Sequence, residues 1–242
     1  MQKVAVVTGS TKGIGLAIAI DLLKEGYFVF INYATDVEAA HRLEEELNTK
    51  YKDCFKIIQQ KLDSEESVQH FYDSVIHYTS HFDVLVLNAG ITDRTAWTDM
   101  TWNEWEKVMN TNLNAPAALV RKFDRHFQNG GNIVFIGSVL GNHLHAVSVP
   151  YSVSKAAVHA LARTLVKEYC ERGIRVNAVC PGFAETDWHK NKSREIKQRI
   201  CDKVSLHRFA EPHEISQAVM DVIHSTYMNG ALIDVDGGYE YR

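Results

Sequence analysis

Three side chains suited to hydrogen bonding and proton transfer lie close together in the sequence: Ser138, Tyr151 and Lys155. Residues 151–168 are rich in Ala and Leu and have no interior Gly or Pro, so Tyr151 and Lys155 are expected on one helix face. An ammonium near a phenol favours the phenolate and lowers the phenol pKa from about 10, as a proton donor near neutral pH requires. Ser138 follows an apolar run, residues 133–136, that predicts a buried strand. The three residues form a candidate catalytic centre.

A glycine-rich turn near the start of the chain predicts a phosphate-binding site. Residues 8–15 have the sequence Thr-Gly-Ser-Thr-Lys-Gly-Ile-Gly, between a β-branched run and a segment that favours a helix. Glycine allows the backbone to approach a pyrophosphate, and the N–H groups at a helix start favour its negative charge. The spacing Gly-x-x-x-Gly-x-Gly is not the commonest one, but the strand–turn–helix context is that of a dinucleotide site. A plain tight turn is the alternative interpretation.

The end of the second predicted strand bears on the choice between NAD and NADP. A carboxylate there would bind the ribose 2′-hydroxyl of NAD, whereas a basic residue would bind the 2′-phosphate of NADP. Asn32, Tyr33, Ala34 and Thr35 occupy this position. The first carboxylate is Asp36, and Lys12 in the glycine turn could reach the phosphate. The sequence therefore favours NADP(H) over NAD(H), with a solvent-exposed loop lysine as the alternative role for Lys12.

Strand-like and helical segments alternate along the whole chain. The predicted strands are residues 3–8, 27–33, 55–62, 84–87, 133–137, 174–180 and 231–235. The predicted helices are residues 16–24, 37–47, 65–79, 102–127 with an interruption at Pro116, and 151–168. This alternation predicts one α/β domain, residues 1–242, with a doubly wound, seven-stranded parallel sheet and helices on both faces. A polar segment after the sixth strand, at about residues 183–210, is a possible substrate lid or a solvated helix pair.

Composition excludes several classes of protein. The 242 residues are 45% hydrophobic and 23% charged, with a net charge of −4, as in an ordinary globular domain. No block of Lys and Arg indicates a nucleic-acid or membrane-surface contact. No apolar run reaches the ~18 residues of a membrane span, and no signal peptide is recognisable, so a cytoplasmic protein is expected. The four cysteines are scattered and no converging ligands accompany the histidines, so no disulfide or metal site is predicted.

Several short motifs occur together in a fixed order. They are the turn at residues 8–15, Asp63, Asn88-Ala89-Gly90, Asn112, Ser138, Tyr151-x-x-x-Lys155, and Pro181-Gly182-x-x-x-Thr186. In this combination the chain resembles the short-chain dehydrogenase/reductase family over essentially its whole length. The resemblance implies a single-domain Rossmann-type fold and an NAD(P)-dependent oxidoreductase acting on CH–OH or keto groups.

The resemblance also implies a role for each motif. Tyr151 would be the general acid in carbonyl reduction, Ser138 would bind the carbonyl oxygen, and Lys155 would tune Tyr151 and hold the nicotinamide ribose. Asn112 would support a water that relays protons to Lys155. The implied cofactor contacts are Gly9, Ser10, Thr11, Lys12, Gly13, Ile14, Gly15, Tyr33, Ala34, Thr35, Asp63, Asn88, Ala89, Gly90, Tyr151, Lys155, Pro181, Gly182, Phe183 and Thr186. The expected substrate contacts are Ser138, His143, His145, Tyr151 and Trp188.

Within the family, the chain is most similar to 3-oxoacyl-acyl-carrier-protein reductases and acetoacetyl-CoA reductases. This implies NADPH-dependent reduction of a 3-oxoacyl thioester, a place in fatty acid biosynthesis, and possible contact with acyl carrier protein. Residues 128–132 lack the basic residue expected to help dock a carrier protein, although Arg172 keeps its counterpart. The histidine-containing loop at residues 142–145 is also unusual for these enzymes.

Other functions remain open at this point. The same chemistry could act on a sugar, a steroid-like alcohol or another small ketone, because fold alone does not set the substrate. A non-catalytic NADP sensor or scaffold is a third interpretation, which the intact Asn112, Ser138, Tyr151 and Lys155 disfavour. The helices at residues 102–127 and 151–169 resemble the family's dimer-forming pair, and residues 236–239 resemble its second interface. A homotetramer is therefore expected.

Overall fold

A seven-stranded parallel sheet forms the centre of the molecule. The computed structural model describes residues 2–143 and 148–239. The strands are β1 (Val4–Val7), β2 (Phe28–Tyr33), β3 (Phe55–Gln59), β4 (Phe82–Leu87), β5 (Phe127–Ile136), β6 (Arg175–Pro181) and β7 (Leu232–Val235). They are arranged in the order β3-β2-β1-β4-β5-β6-β7, and every neighbouring pair is parallel. The strand order reverses between β1 and β4, where open parallel sheets bind ligands.

Helices cover both faces of the sheet. They are α1 (Gly13–Lys24), α2 (Val37–Lys50), α3 (Glu65–Ile76), α4 (Trp102–Met109), α5 (Ala115–Phe123), α6 (Val149–Tyr169), α7 (Arg194–Cys201) and α8 (Pro212–His224). Two apolar clusters form the core, one on each side of the sheet. One contains α3, α5 and α6 side chains, and the other contains those of α1, α2 and α8. The prediction of a doubly wound α/β fold is confirmed. Among the described residues, no helix is both long and apolar enough to cross a membrane.

The predicted helical segment over residues 102–127, interrupted at Pro116, differs from the structure in two respects: the interruption is a π-helical turn that precedes Pro116, and the helical turns end before Phe127. The chain forms α4, a π-helical turn at Asn110–Asn114, α5 and a short 3-10 turn. Phe127 already belongs to β5, where it pairs with Phe82 of β4. The strand continues through a glycine-rich segment that has the composition of a loop. An added Cβ at Gly131 would lie 2.8 Å from the Asp83 carbonyl oxygen, so this part of the strand requires glycine.

Smaller boundary differences follow from local hydrogen bonding. β3 ends at Gln59 rather than at residue 62, because its partner β2 ends at Tyr33, whose carbonyl oxygen accepts the Gln60 N–H as the last backbone hydrogen bond between them. α3 begins at a capping box formed by Ser64 and Ser67. α8 was not assigned from the sequence, and its first helical residue is Pro212, which suits the first turn of a helix.

Candidate active site

A cleft opens along the carboxyl ends of the central strands. Its volume is about 380 Å³, which lies in the usual range for small-molecule sites. The sequence-predicted residues that line it are Gly9, Thr11, Lys12, Gly13, Ile14, Tyr33, Ala34, Thr35, Asn88, Ala89, Gly90, Ser138, Tyr151, Lys155, Pro181, Gly182, Thr186 and Trp188. The fold therefore brings together segments that are distant in sequence, because the carboxyl ends of parallel strands share one edge.

The start of α1 faces this cleft and suits an anionic ligand. Lys12, at the N-cap position, makes no side-chain capping hydrogen bond within the described structure. The first N–H groups of a helix carry partial positive charge and need a partner. Gly13 has a φ of +58°, and a Cβ there would lie 3.1 Å from Thr186 Cγ2. The glycine turn thus leaves room and donors for the pyrophosphate of a nicotinamide dinucleotide.

Side chains from two strand ends hold the glycine turn in place. Thr8 Oγ1 accepts hydrogen bonds from the backbone N–H groups of Asn88 and Ala89, both at 3.0 Å. Asn88 returns the contact through its side-chain amide, which donates to the carbonyl oxygens of Thr8 and Gly9 at 3.0 and 2.8 Å. Asn32 Oδ1 accepts the Gly9 N–H at 3.1 Å. The ends of β1, β2 and β4 are therefore linked at the base of the cleft.

Lys12 bridges two carboxylates across the mouth of the cleft. Its Nζ lies 3.6 Å from Asp36 Oδ2 and 3.5 Å from Asp187 Oδ2. Asp36 is also the N-cap of α2, where it accepts the Ala39 N–H at 3.1 Å. This backbone hydrogen bond, together with nearby Lys12, lowers the pKa of the Asp36 carboxyl. The first carboxylate after β2 is therefore already engaged by the protein itself.

Ser138, Tyr151 and Lys155 meet at the end of β5. Ser138 follows the strand directly, and its Oγ accepts the Leu140 N–H at 3.2 Å, which leaves its own hydrogen for another acceptor. Tyr151 and Lys155 lie one turn apart on α6. Lys155 Nζ donates to the Ile136 carbonyl oxygen at 2.7 Å and lies 5.6 Å from the centre of the Tyr151 ring. The helix thus presents the phenol and the ammonium beside the Ser138 hydroxyl.

Burial controls the protonation of these groups. It raises the pKa of the Tyr151 phenol, and the nearby Ser138 hydroxyl opposes this rise because it can donate to a phenolate. Burial lowers the pKa of Lys155 to about 8, because its ammonium has left water. The expected lowering of the phenol pKa by Lys155 is therefore not the dominant effect in this arrangement.

Asn112 lies behind the cleft in the π-helical turn between α4 and α5. Its Oδ1 accepts the Ile91 N–H at 2.8 Å, and its Nδ2 donates to the Ile91 carbonyl oxygen at 2.9 Å and to Ser154 Oγ at 3.0 Å. A Cβ added to Gly90 would lie 3.4 Å from Asn112 Oδ1 and 3.7 Å from Lys155 Nζ. Asn112 therefore fixes the backbone after β4 next to Lys155. Single π-turns are often found at functional sites.

The segment after β6 covers the cleft near Tyr151. The Trp188 ring centre lies 5.8 Å from that of Tyr151. Below it, Phe183 packs against His189 and Phe209 with ring centres 5.5 and 5.6 Å apart. His189 is buried, and this together with neighbouring cations lowers its pKa to about 4, so it is neutral at physiological pH. An aromatic side chain therefore packs against Tyr151 at this end of the cleft.

Some sequence-predicted site residues lie outside the cleft lining of the described chain. Ser10 is fully buried, donates to the Val7 carbonyl oxygen and supports the glycine turn. Gly15 packs against Gly9 and Asn88, and Asp63 pairs with Lys61. The remaining three are Phe183 and Asn112, described above, and His143, whose ring lies 6.4 Å from that of Tyr239. His145 falls outside the described residues.

Sequence reasoning did not assign several residues that line the cleft. They are Asn32, Asp36, Gln60, Lys61, Leu62, Ile91, Lys107, Thr111, Ile136, Gly137, Ala184, Asp187 and His189. Most follow directly after a strand or a motif residue, so their position at the same sheet edge was the available signal. Their contacts depend on how the strand ends are arranged in space, which no local pattern reveals.

Comparisons with known proteins agree with this architecture. A family model described as short chain dehydrogenase matches residues 3–197. The chain is 37% identical to 3-oxoacyl-acyl-carrier-protein reductase FabG of Aquifex aeolicus, over 98% of this chain and 96% of that protein. It is 33% identical to glucose 1-dehydrogenase 2 of Bacillus subtilis, over 98% and 94% of the two chains.

A solved structure is similar to this chain over nearly its whole length. The crystal structure of a short chain dehydrogenase from Burkholderia cenocepacia in complex with NADP matches with a TM-score of 0.90 and 28% identity, over 98% of this chain and 97% of that one. The similarity extends over the whole sheet and its helices, and therefore over the part of the chain that forms the cleft. The chain therefore belongs to the short-chain dehydrogenase/reductase family and is an NAD(P)-dependent oxidoreductase acting on CH–OH or keto groups.

Proposed function

We propose that the protein reduces a 3-oxoacyl thioester to the 3-hydroxyacyl form with NADPH as the reductant. One observation carries this proposal: the Ser138 hydroxyl and the Tyr151 phenol adjoin at one end of a cleft whose other end is the uncapped start of α1. A nicotinamide dinucleotide spanning the cleft would place its pyrophosphate at α1 and its nicotinamide near Tyr151. The two hydroxyl groups would then face a substrate carbonyl.

The roles of the side chains follow from their positions. The cofactor, when bound, supplies the hydride. Ser138 donates its free hydrogen to the carbonyl oxygen and stabilises the negative charge that develops there. Tyr151 transfers its proton to the same oxygen. The buried ammonium of Lys155 stabilises the resulting phenolate, and Asn112 keeps the Ile91 backbone fixed beside it.

One feature supports the choice of substrate class, and a second bears on the choice between a carrier protein and CoA. The relative named 3-oxoacyl-acyl-carrier-protein reductase matches over nearly the full length of both chains. Arg172, the residue whose counterpart would help dock a carrier protein, donates to the Asp124 carboxylate and to the Phe127 carbonyl oxygen at 2.9 and 2.7 Å. A carrier protein would have to displace these contacts. We therefore infer that a CoA thioester is a sufficient substrate, with acyl carrier protein as a possible partner.

We propose NADPH as the preferred cofactor because Lys12 reaches Asp36, the first carboxylate after β2. Asp36 is engaged as the cap of α2 and as a partner of Lys12, so it competes poorly for a ribose hydroxyl. The 2′-phosphate of NADP would replace one of the two carboxylates as the partner of Lys12, and it carries more negative charge than a carboxylate. This exchange favours NADP over NAD.

We also propose that residues 183–210 act as a lid and that the chain forms a homotetramer. The Lys12–Asp187 ion pair and the Trp188–Tyr151 contact join this segment to the cleft and support the lid proposal. Trp102 on α4 and Val149 and Val153 on α6 are exposed apolar side chains, which a helix-mediated interface would cover.

A second candidate is a dehydrogenase that oxidises a sugar or another small alcohol. The similarity to a protein named glucose 1-dehydrogenase favours it specifically. The same Ser138, Tyr151 and Lys155 would then work in the reverse direction, with Tyr151 accepting the proton. Activity with glucose and NAD(P), without acetoacetyl-CoA reduction, would select this candidate over the thioester reductase.

The central experiment measures NADPH oxidation by the purified protein with acetoacetyl-CoA, beside NADH and a panel of simple ketones and sugars. Tyr151→Phe is expected to lower kcat by about 100- to 10,000-fold and to keep NADPH binding, because a positioned general acid contributes this much. Tyr169→Phe is the matched control, since Tyr169 lies on the same helix and is buried away from the cleft.

The outcomes separate the proposals clearly. Loss of turnover in Tyr151→Phe with normal Tyr169→Phe supports Tyr151 as the proton donor. Parental turnover in Tyr151→Phe contradicts that role. Absence of reduction across the whole panel, with tight NADPH binding, would favour a non-catalytic cofactor-binding protein instead.

A further inference from the structure

A buried histidine lies directly behind Ser138. His159 is one turn beyond Lys155 on α6, so Tyr151, Lys155 and His159 follow one another along a single helix face. Only 4% of its surface is exposed. The described cleft lining does not include it, so the ring acts on the site from within the protein.

The hydrogen bonds of the ring determine its tautomer. Nε2 lies 3.4 Å from the Ser138 backbone nitrogen, whose N–H can only donate, so Nε2 must be the acceptor. Nδ1 therefore carries the hydrogen and donates to Asn142 Oδ1 at 3.0 Å. The Cys180 thiol, 3.2 Å from Nε2, is a second donor to the same nitrogen. All the polar atoms of the ring are satisfied in this arrangement.

The backbone around Ser138 is shaped to accept this ring. A Cβ at Gly137 would lie 2.9 Å from His159 Cδ2 and 3.0 Å from Cys180 Sγ. A Cβ at Gly141 would lie 2.7 Å from His159 Cε1. Real side-chain contacts do not occur at such distances, so two glycines on either side of Ser138 make the slot that the imidazole fills.

Neither His159 nor Cys180 can perform the chemistry itself. Burial, with Lys155 and Arg163 nearby, lowers the pKa of His159 to about 4, so the ring is neutral at physiological pH. Burial raises the pKa of the Cys180 thiol to about 12, and the residue is fully enclosed. A nucleophilic thiolate is therefore excluded, and the remaining role is structural support of a neighbour.

We propose that His159, as the neutral Nδ1–H tautomer, is a positioning residue that fixes the Ser138 backbone and thereby aims the Ser138 hydroxyl at the substrate oxygen. The Asn142 side chain selects the tautomer, and Cys180 ties the ring to the end of β6. This inference rests on the proposed role of Ser138 in binding the substrate carbonyl. A small displacement of such a donor lowers the reaction rate strongly, since misplacement by about 1 Å can reduce the rate ~100-fold.

The first test compares His159→Leu with His159→Gln. Leu removes the acceptor for Ser138, so kcat is expected to fall by about 10- to 100-fold, while the cofactor Kd and the substrate KM change little. Gln can both accept from Ser138 and donate to Asn142, so it should restore most of kcat. His126→Leu is the matched control, because it also removes two hydrogen bonds of a histidine, to Tyr72 and Ser80, far from the cleft.

Three results would overturn the inference from this test. They are parental kcat in His159→Leu, failure of His159→Gln to recover activity, and a loss of kcat that simply follows a lowered Tm as in His126→Leu. If His159→Leu does not fold, the pair Asn142→Ala and Asn142→Asp carries the test. Asn142 is exposed, so neither change should prevent folding. Ala should lower kcat by about 3- to 10-fold, and Asp, which keeps the acceptor oxygen, should restore it.

A spectroscopic measurement is independent of turnover. Nitrogen-15 NMR of histidine-labelled protein distinguishes a protonated ring nitrogen from an unprotonated one, and comparison with His159→Gln assigns the signal. We expect Nδ1 protonated and Nε2 unprotonated in His159, and the opposite pattern would refute the mechanism. This result stands whether or not Ser138→Ala loses activity, so failure of the proposed function and failure of this inference can be told apart.

Discussion

Lys155 is expected to lower the free energy of unfolding of the protein. Its pKa in the folded protein is about 8, against an ordinary value of 10.5, because burial disfavours the ammonium. This difference corresponds to about 3 kcal/mol at neutral pH. Replacing the residue by Met removes this cost but leaves the Ile136 carbonyl oxygen without its 2.7 Å donor, which costs about 1 kcal/mol. The net prediction for Lys155→Met at pH 7 is a gain of about 2 kcal/mol and a Tm raised by about 4–8 °C, with turnover abolished.

The stability difference between the parent and the Met variant should shrink as pH rises. Between pH 8 and 10.5 the unfolded chain binds the Lys155 proton and the folded protein does not, so the parent gains stability as pH rises. By pH 9.5 the parent should recover about 2 kcal/mol relative to the Met variant. Urea unfolding of both proteins at pH 7 and pH 9.5 measures this difference directly. Lys190→Met, at an exposed lysine, is the control and should change stability by less than about 0.5 kcal/mol.

A stability difference that does not vary with pH, or a Met variant weaker than the parent at pH 7, would refute the reasoning. The first result would mean that Lys155 is charged in both states. The second would mean that its hydrogen bond and packing outweigh desolvation. Cofactor is omitted from all samples, because a ligand that binds only the folded state would add its own stabilisation.

Two further predictions concern the cofactor and assembly. Lys12→Ala should raise the KM for NADPH by roughly 5- to 10-fold and that for NADH much less, because only NADPH carries the 2′-phosphate proposed to pair with this lysine; an equal effect on both cofactors in steady-state assays would contradict the proposed preference. Light scattering at micromolar concentration should give the mass of a tetramer, because Trp102, Val149 and Val153 are exposed in the single chain. A monomer mass near 27.4 kDa would refute this.

The sheet could be predicted because each of its strands has its own local pattern. The glycine turn, the Asn88 segment and the Tyr151/Lys155 helix were likewise recognisable from local sequence. Their meeting in one cleft follows from a general property of parallel sheets rather than from any single motif. The strand order and the position of the reversal fix which segments meet.

The failures of sequence reasoning occur where distant contacts decide local structure. The π-helical turn at Asn110–Asn114 accompanies hydrogen bonds from Asn112 to Ile91 and Ser154, which are far away in sequence. The glycine-rich start of β5 has the composition of a loop, yet it forms a strand that pairs with β4. Local propensity is a weak guide in both places, because tertiary contacts override it.

The buried polar contacts of His159 fit the positioning role that we propose for it better than a role in stability. Its place on the Tyr151/Lys155 helix face was visible in the sequence, but its partners Ser138, Asn142 and Cys180 come from other segments. A buried imidazole beside a buried ammonium costs free energy that apolar side chains would avoid. The cost is acceptable only because each polar atom is given a fixed partner, and fixed partners are what a hydroxyl donor to a carbonyl oxygen requires. The desolvation that lowers the pKa of Lys155 also lowers the pKa of His159, and the neutral ring can then accept the Ser138 N–H at Nε2.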